Sequence, residues 1–161
     1  MNTKVSVCSA LFAIDEINND EELLILNGSQ LIKTDINPAI ESFRTRNLDG
    51  GIVTINAVHP KYSSVLLDEN NLVVQTSEKR PISSIASTGC CYFKKGSDFV
   101  NAAFSVIEKD VNTQGKYYIS ATFNEMILNN KSIGTYEIPK KDYLTFSNYQ
   151  TYEKHLALRK V

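Results

Sequence analysis

The feature that most constrains this fold is an apolar run at residues 23–27, Leu-Leu-Ile-Leu-Asn. A strand with one solvated face alternates apolar and polar residues, whereas a strand covered on both faces reads as an unbroken apolar run. An amphipathic helical pattern over residues 4–18 precedes this run, a second helical pattern that ends near Asn47 follows it, and a β-prone run over 50–58 comes next. The order helix, strand, helix, strand predicts parallel strands joined by right-handed crossovers, with residues 23–27 as a central parallel strand.

The middle of the sequence changes to an antiparallel pattern. Two β-prone runs, 62–68 and 72–79, flank the turn-forming cluster Glu69-Asn70-Asn71, which predicts a β-hairpin. The remaining predicted elements are a strand over 87–95, helices over 97–111 and 117–129, a strand over 132–139 and a short polar helix over 148–158. We therefore expect an α/β fold in a single domain over residues 1–161, with a mixed sheet flanked by helices and a β-hairpin insertion.

Composition narrows the range of partners and compartments. The 161 residues are 42% hydrophobic and 22% charged, and the formal net charge of −1 gives no electrostatic reason to expect nucleic acid or an anionic membrane as a partner. No stretch approaches the ~20 apolar residues that cross a bilayer, and residues 1–15 lack the pattern of a secretion signal. The three cysteines are odd in number, and the adjacent pair Cys90-Cys91 would point to opposite faces of a strand. We expect reduced thiols and a cytoplasmic protein that binds small molecules or proteins.

A set of motifs along the chain resembles the sugar-1-phosphate nucleotidyltransferase family. In order, the motifs read SALFAIDEINNDEELLI, NGSQ, IVTINAVHPKYSSVLLDENNLV, SEKRPIS, TGCCYFKKGSDFV and GKYYISATFNEMI. The similarity runs from about residue 3 to residue 139, and it is greater to the branch often found with bacterial surface-polysaccharide genes. It implies a Rossmann-like core that joins a nucleoside triphosphate to a sugar phosphate and releases pyrophosphate, with Mg²⁺ as the cofactor that neutralises charge on the phosphates.

The resemblance also implies which residues bind a sugar phosphate or a nucleotide sugar. Asn27 and Gly28 match the corner that ends the family's strand, and Gly89 matches a glycine that lines the sugar pocket. Glu78-Lys79 matches a Glu-Lys pair that contacts the sugar and its phosphate, while Glu125, on a predicted helix, faces either the sugar pocket or water. The candidate substrate-binding residues are therefore Asn27, Gly28, Glu78, Lys79, Gly89 and Glu125.

Three departures from the family affect the metal and the nucleotide. Ser29 stands where the family has the aspartate that holds Mg²⁺, and a hydroxyl is a poor substitute for a carboxylate as a Mg²⁺ ligand. A second metal-binding aspartate falls near Asp142, and a looser alignment puts Thr145 at its position. The family's Gly-rich loop, which binds the triphosphate through backbone N–H groups, has no counterpart here, and the first 22 residues contain no glycine. We therefore expect a truncated Rossmann-like nucleotidyltransferase core, with no catalytic or metal-binding residue assigned and Mg²⁺ needed only if the site is active.

Three functional hypotheses follow from this sequence. In the first, the chain contributes to nucleotide-sugar or capsular polysaccharide biosynthesis as a transferase that a separate N-terminal fragment completes. In the second, it contributes to the same biosynthesis as a non-catalytic sugar-phosphate-binding or interaction subunit. In the third, it is an inactive product that still folds. A sheet without the family's first strand would expose unpaired backbone edges, which predicts a homo-oligomer or a complex with a complementing fragment. If these positions bind no ligand, residues 27–30 form a simple turn, Glu78-Lys79 is an exposed charge pair and His59 is a hydrogen-bonded turn residue.

Overall fold

A mixed β-sheet covered by helices organises residues 6–146, the part of the chain that this computed structural model describes. The helices are α1 (Val7–Leu11), α2 (Ile14–Ile17), α3 (Asn37–Thr45), α4 (Gly96–Glu108) and α5 (Ile119–Leu128). The strands are β1 (Leu23–Leu26), β2 (Gln30–Ile32), β3 (Gly50–Asn56), β4 (Ser64–Leu67), β5 (Val73–Ser77), β6 (Ile85–Phe93), β7 (Ile133–Glu137) and β8 (Tyr143–Thr145). The elements that the sequence predicts between residues 23 and 139 are present within a few residues of their expected bounds. The helix predicted over 148–158 lies outside the described residues.

The long strand β6 forms the centre of the sheet. It pairs antiparallel with β3 on one side and with β1 and β4 on the other, so that Leu24 and Gly51 both lie opposite Tyr92. β7 extends the sheet parallel to β3, and β5 pairs antiparallel with β4 to form the predicted hairpin. The resulting order is β5-β4-β6-β3-β7, with β1 beside the second half of β6. The expected mixed sheet with helices and a hairpin is therefore confirmed.

The prediction of a central, parallel strand at residues 23–27 is wrong. β1 runs antiparallel to β6, and among the described strands it pairs with β6 alone. β1 and β3 point in the same direction, but β6 lies between them. Leu23 and Ile25 pack against one core cluster and Leu24 packs against the other, which explains the unbroken apolar run. Such a run reports that both faces of a strand are covered, and it says nothing about the direction of the neighbouring strand.

The helix predicted over residues 4–18 forms two short helices instead. α1 and α2 are separated at Phe12 and Ala13, and the Phe12 side chain is 79% exposed. The period of the apolar residues fixes which face is buried, whereas the hydrogen bonds between successive turns decide whether a helix is continuous. The apolar positions that predicted the helix do pack against the core, namely Val7, Leu11, Ile14 and Ile17.

Two hydrophobic clusters cover the two faces of the sheet. The first lies beneath α1, α2, α4 and α5, where the ring centroid of Phe93 is 4.9 Å from that of Phe123 and 5.0 Å from that of Phe99. The second lies beneath α3, where Phe43 stacks on Tyr92 with centroids 5.5 Å apart. Aromatic pairs at these separations add to the free energy gained by burying their apolar area. Both faces of the sheet therefore have a packed core.

The described cysteines agree with the sequence prediction. Cys91 belongs to the first cluster and Cys90 to the second, so the adjacent pair does point to opposite faces of β6. Both are buried free thiols, and Cys8 is a free, half-buried one. Within residues 6–146, no helix has the length and apolar character needed to cross a membrane. The cytoplasmic location and the single domain over the whole chain stay predictions.

Candidate functional site

A cavity of about 660 Å³ opens beside the end of β1 and the middle of β6. Ligand pockets commonly have volumes of ~300–1,000 Å³, so the space suits a small organic ligand. The two ends of the β4–β5 hairpin, the start of α5, part of α1 with the preceding Ser6, and Tyr143 supply the other walls. Five of the six candidate residues line this cavity, namely Asn27, Gly28, Glu78, Lys79 and Gly89. The fold thus brings together positions that are far apart in the sequence.

The corner after β1 is held by its own side chains. The Asn27 Oδ1 atom accepts hydrogen bonds from the Ser29 backbone N–H at 3.0 Å and from the Ser29 hydroxyl at 2.9 Å. An asparagine that bonds the backbone two residues ahead closes a tight turn. Asn27 and Gly28 line the cavity as a result, whereas Ser29 is exposed and does not line it.

Gly89 is the position on β6 that lets this corner approach the sheet. Its φ angle of +79° is in the left-handed region, and a Cβ there would lie 2.9 Å from the side-chain amide of Gln30 and 3.2 Å from the Asn27 Cβ. Glycine alone avoids both the backbone strain and the crowding at such a site. The predicted pocket glycine therefore has a clear structural basis.

Glu78 forms part of the cavity wall and is held by two hydroxyl groups. Its Oε2 atom accepts hydrogen bonds from Ser63 Oγ and, at 2.9 Å, from Ser120 Oγ. Burial, followed by the Glu78 charge, raises the pKa of the Tyr118 hydroxyl, which lines the same wall. Ser63 and Ser120 come from the hairpin and from α5, and nothing in the sequence marked either one. Sequence analysis missed them because their contact with Glu78 exists only in the folded chain.

Two lysines line the cavity, one predicted and one missed. Lys79 follows β5 with a left-handed φ of 60°, a conformation that is uncommon for residues other than glycine and is enriched at functional sites. Lys61 lies in the turn before β4, where its backbone N–H donates to His59 Nδ1 at 3.0 Å. His59 is thus a hydrogen-bonded turn residue, and it does not line the cavity. Among the described lining residues, the charged side chains are these two lysines and Glu78.

An aromatic pair forms another part of the wall. Tyr62 and Tyr143 have ring centroids 6.1 Å apart, and both residues line the cavity. Burial, followed by the neighbouring Tyr62, raises the pKa of Tyr143. Tyr143 is 6% exposed, and its hydroxyl has no hydrogen-bond partner within residues 6–146. Rings of this kind supply apolar area with polar edges, which suits the faces of a sugar ring.

The two positions where the resemblance implies metal-binding aspartates lie side by side. β2 pairs with β8 so that Gln30 is opposite Thr145, and the Phe146 N–H donates to the Ser29 carbonyl oxygen at 2.9 Å. Sequence analysis did not predict this two-stranded sheet. Asp142, the nearest carboxylate in the sequence, lies in a 3-10 turn at 140–142 and does not line the cavity.

The residues at these positions do not fit Mg²⁺. Hard divalent cations prefer carboxylate and carbonyl oxygens, whereas Ser29 and Thr145 carry neutral hydroxyls. The Ser29 hydroxyl is also engaged, because it donates to Asn27. In the described part of the chain, no group of three His, Cys, Asp or Glu side chains is placed to hold a metal ion.

Glu125 does not join the other candidates. Glu125 lies on α5, is 5% exposed and does not line the cavity. Its Oε2 atom accepts a hydrogen bond from Lys109 Nζ at 2.6 Å. Lys109 directly follows α4, so this ion pair connects α4 to α5. The structure places Glu125 in neither of the two expected surroundings, the sugar pocket or water.

Comparisons with known proteins identify solved structures that share the fold of this chain. No protein-family model and no curated protein matches the sequence. A solved nucleoside-diphosphate-sugar pyrophosphorylase from Vibrio cholerae RC9 superposes with a TM-score of 0.83 over 98% of this chain, at 19% sequence identity. A proposed glucose-1-phosphate thymidylyltransferase from Bacillus anthracis, solved in complex with sucrose, superposes with a TM-score of 0.71 over 98% of this chain, at 17% identity. This chain shares the fold of these two proteins.

The same comparisons limit what the shared fold implies. The chain spans 66% of the length of the Vibrio protein and 62% of the length of the Bacillus protein. At such low identity the likeness concerns the fold, and one fold supports many functions. Function must therefore be argued from the cavity.

Proposed function

We propose that the cavity binds a sugar phosphate, or the sugar-phosphate part of a nucleotide sugar, in nucleotide-sugar biosynthesis. The observation that carries this proposal is the convergence of five residues, chosen on sequence resemblance alone, on one cavity. Two lysines against one glutamate give the described lining a formal charge of +1, which favours an anionic ligand. The fold shared with a nucleotide-sugar pyrophosphorylase supports the same class of ligand.

The side chains at the cavity provide the contacts that a phosphorylated sugar needs. Lys79 is a point charge with three donors, which suits a phosphate group. Glu78 offers carboxylate oxygens to sugar hydroxyls, and the Asn27 amide offers donors. Ser63 and Ser120 hold the Glu78 carboxylate in place, so little side-chain entropy is lost when the ligand binds.

On this proposal the chain by itself is a non-catalytic binding subunit. The transfer reaction that the resemblance implies requires a divalent cation at the phosphates, and the hydroxyls of Ser29 and Thr145 are unsuited to hold one. Mixing the chain with nucleoside triphosphate, glucose 1-phosphate and Mg²⁺ is expected to release no pyrophosphate. The sequence resemblance suggests surface-polysaccharide synthesis as the setting.

The free edge of β1 favours a second candidate, a transferase that another polypeptide completes. Within residues 6–146, β1 pairs with β6 alone, and Leu26 at its end is 57% exposed. An unpaired edge is a template for a strand from a second copy or a complementing fragment. Light scattering over a wide concentration range tests self-association. A monomeric mass throughout would remove the homo-oligomer and leave only the fragment.

Isothermal titration calorimetry with glucose 1-phosphate tests the proposed ligand class. The informative variant is Lys79→Gln, and Lys140→Gln is the matched control because Lys140 is exposed and does not line the cavity. A charged hydrogen bond contributes ~1.5–3 kcal/mol, so Lys79→Gln is expected to weaken binding at least ~10-fold while the control leaves it unchanged. Glucose without phosphate should bind more weakly than glucose 1-phosphate. Absence of binding to the wild-type chain, or equal binding by both variants, would contradict the proposal.

A further inference from the structure

We infer that Lys61 supplies a second positive charge to the bound phosphate and that the cavity binds its anionic ligand without a divalent cation. The inference rests on the proposed function, because it presupposes a phosphorylated ligand in this cavity. It extends that function by adding a residue that neither the motifs nor the resemblance singled out, and by stating how the ligand's charge is balanced.

The turn before β4 fixes the position of Lys61. His59 accepts two hydrogen bonds in this turn, from the Lys61 N–H to its Nδ1 atom at 3.0 Å and from the Tyr62 N–H to its carbonyl oxygen at 3.1 Å. The Lys61 ammonium lies 4.7 Å from the centroid of the Tyr62 ring, and Tyr62 in turn packs against the buried ring of Tyr143. A cation held over an aromatic face has a defined direction and still has N–H groups to donate. Lys61 is therefore partly pre-organised at the cavity wall.

Neither cavity lysine has a carboxylate partner among the described residues. Lys95, Lys109 and Lys131 each form an ion pair with an aspartate or a glutamate, whereas Lys61 and Lys79 form none within residues 6–146. With Glu78 counted, the described lining has a net formal charge of +1, and the two lysines that form no ion pair raise the positive potential at this concave site. An anionic ligand would lower the repulsion between these charges, and it would gain charge-assisted hydrogen bonds from both.

A pair of lysines can do the electrostatic work of a metal ion for binding. A sugar 1-phosphate carries up to two negative charges near neutral pH. Lys61 and Lys79 provide two positive charges against the one negative charge of Glu78, whose carboxylate is held by Ser63 and Ser120. The hydroxyls at Ser29 and Thr145 do not fit a divalent cation, so the cation has no carboxylate at the positions where the resemblance implies one. The lysine pair therefore neutralises the phosphate from the hairpin side of the cavity.

The test is titration of glucose 1-phosphate into the wild-type chain in excess EDTA and, separately, in excess MgCl₂. The dissociation constants are expected to agree within about twofold, a difference of ~0.4 kcal/mol. Lys61→Gln is expected to weaken binding about 10-fold in both buffers, Lys61→Arg to keep most of the affinity because it retains the charge, and Lys140→Gln to match the wild type. Binding of unphosphorylated glucose should be the same in Lys61→Gln and the wild type. Lys61 is exposed, so thermal unfolding of all three variants should overlay that of the wild type.

The outcomes separate this inference from the proposed function. If glucose 1-phosphate binds only when Mg²⁺ is present, or if Lys61→Gln binds it as tightly as the wild type, the inference is wrong and the sugar-phosphate site stands. If the wild-type chain binds glucose 1-phosphate in neither buffer, the proposed function fails and the inference fails with it. Loss of affinity in Lys61→Arg equal to that in Lys61→Gln would show that shape rather than charge matters, which also overturns the inference.

Discussion

Replacing Gly89 by alanine tests the central geometric claim about the cavity, that β6 and the corner after β1 meet at this residue. Gly89 has a φ of +79°, and an added Cβ would be 2.9 Å from the Gln30 amide and 3.2 Å from the Asn27 Cβ. The substitution therefore combines backbone strain with crowding of a cavity wall. Two other glycines separate these effects. Gly115 has a φ of +72° in open space, and Gly28 also has open space around its Cβ position but no left-handed φ.

The expected magnitudes follow from these contacts. A left-handed backbone costs an L-residue ~1–2 kcal/mol, which is the expected loss of unfolding free energy for Gly115→Ala. Gly89→Ala carries the same strain and must also displace the end of Gln30, which adds an off-rotamer cost of ~1 kcal/mol. Each 1 kcal/mol lowers the Tm of a chain of this size by roughly 2–4 °C. We expect Gly28→Ala to be neutral, Gly115→Ala to lose about 2–8 °C and Gly89→Ala to lose a few degrees more.

Circular dichroism is the suitable assay because the chain contains no tryptophan. Thermal and urea unfolding of the three variants should rank them in the order Gly28→Ala, Gly115→Ala, Gly89→Ala, from most to least stable. Calorimetry with glucose 1-phosphate should show weaker binding in Gly89→Ala than in Gly115→Ala, since the Gly89 Cβ displaces Gln30 and Asn27 whereas Gly115 does not line the cavity. A Gly89→Ala variant as stable as Gly115→Ala, with the wild-type affinity, would refute the claim that Gly89 positions this corner.

Three further predictions concern charge. The Arg44 side chain hydrogen-bonds Glu22 and holds the pKa of Glu22 at about 2, below the ordinary 4.5. The pair therefore stabilises the fold above pH ~4.5, and this contribution disappears as the pH falls towards 2. Glu22→Gln should lower the free energy of unfolding by ~1 kcal/mol or less, as for an exposed pair, and the Tm difference from the wild type should close over that pH range. Lys109→Met leaves the buried Glu125 carboxylate without its cation and should lower the free energy of unfolding in urea by ~1–3 kcal/mol. Glu125→Gln should lower it less and leave the affinity for glucose 1-phosphate unchanged. Weaker binding by Glu125→Gln would show that Glu125 contributes to the site. Ser29→Asp should show no heat of Mg²⁺ binding in calorimetry, because one exposed carboxylate is too few ligands for the ion.

The sequence predicted the positions of the elements well because burial leaves a periodic trace. The hairpin at β4–β5, the strands β3 and β7 and the helices α4 and α5 each carry an apolar pattern with its own period, and that pattern depends only on local geometry. Strand direction leaves no such trace. The run at 23–27 is equally apolar whether its neighbour is parallel or antiparallel, so the antiparallel pairing of β1 with β6 could not be read from it. The pairing of β2 with β8 could not be predicted either, because each strand has only three residues and is too short to show a periodic pattern.

The residues of the candidate site also divide into those that the sequence predicted and those that it did not. Asn27, Gly28, Glu78, Lys79 and Gly89 lie in short motifs, and all of them line the cavity. Two of the residues that sequence analysis missed, Ser63 and Ser120, are defined by their tertiary contacts with Glu78. Lys61 was missed because only the fold places it at the cavity wall. Glu125 shows the converse error, because a glutamate within a matching motif turned out to pair with Lys109. A motif locates a residue in the chain, whereas its partners decide what the residue does.

The geometry of the corner after β1 does not depend on a carboxylate at position 29. Asn27 closes the turn through its own side chain, the Ser29 hydroxyl strengthens that turn, and backbone pairing of Ser29 with Phe146 brings β8 alongside. A hydroxyl at position 29 therefore suffices to close this turn, while it lacks the charge that would hold a cation. Shape and metal chemistry are separable at this corner, because the turn closes while its donor set is unsuited to Mg²⁺. Any binding activity that persists must then draw its positive charge from elsewhere in the cavity, where Lys61 and Lys79 lie.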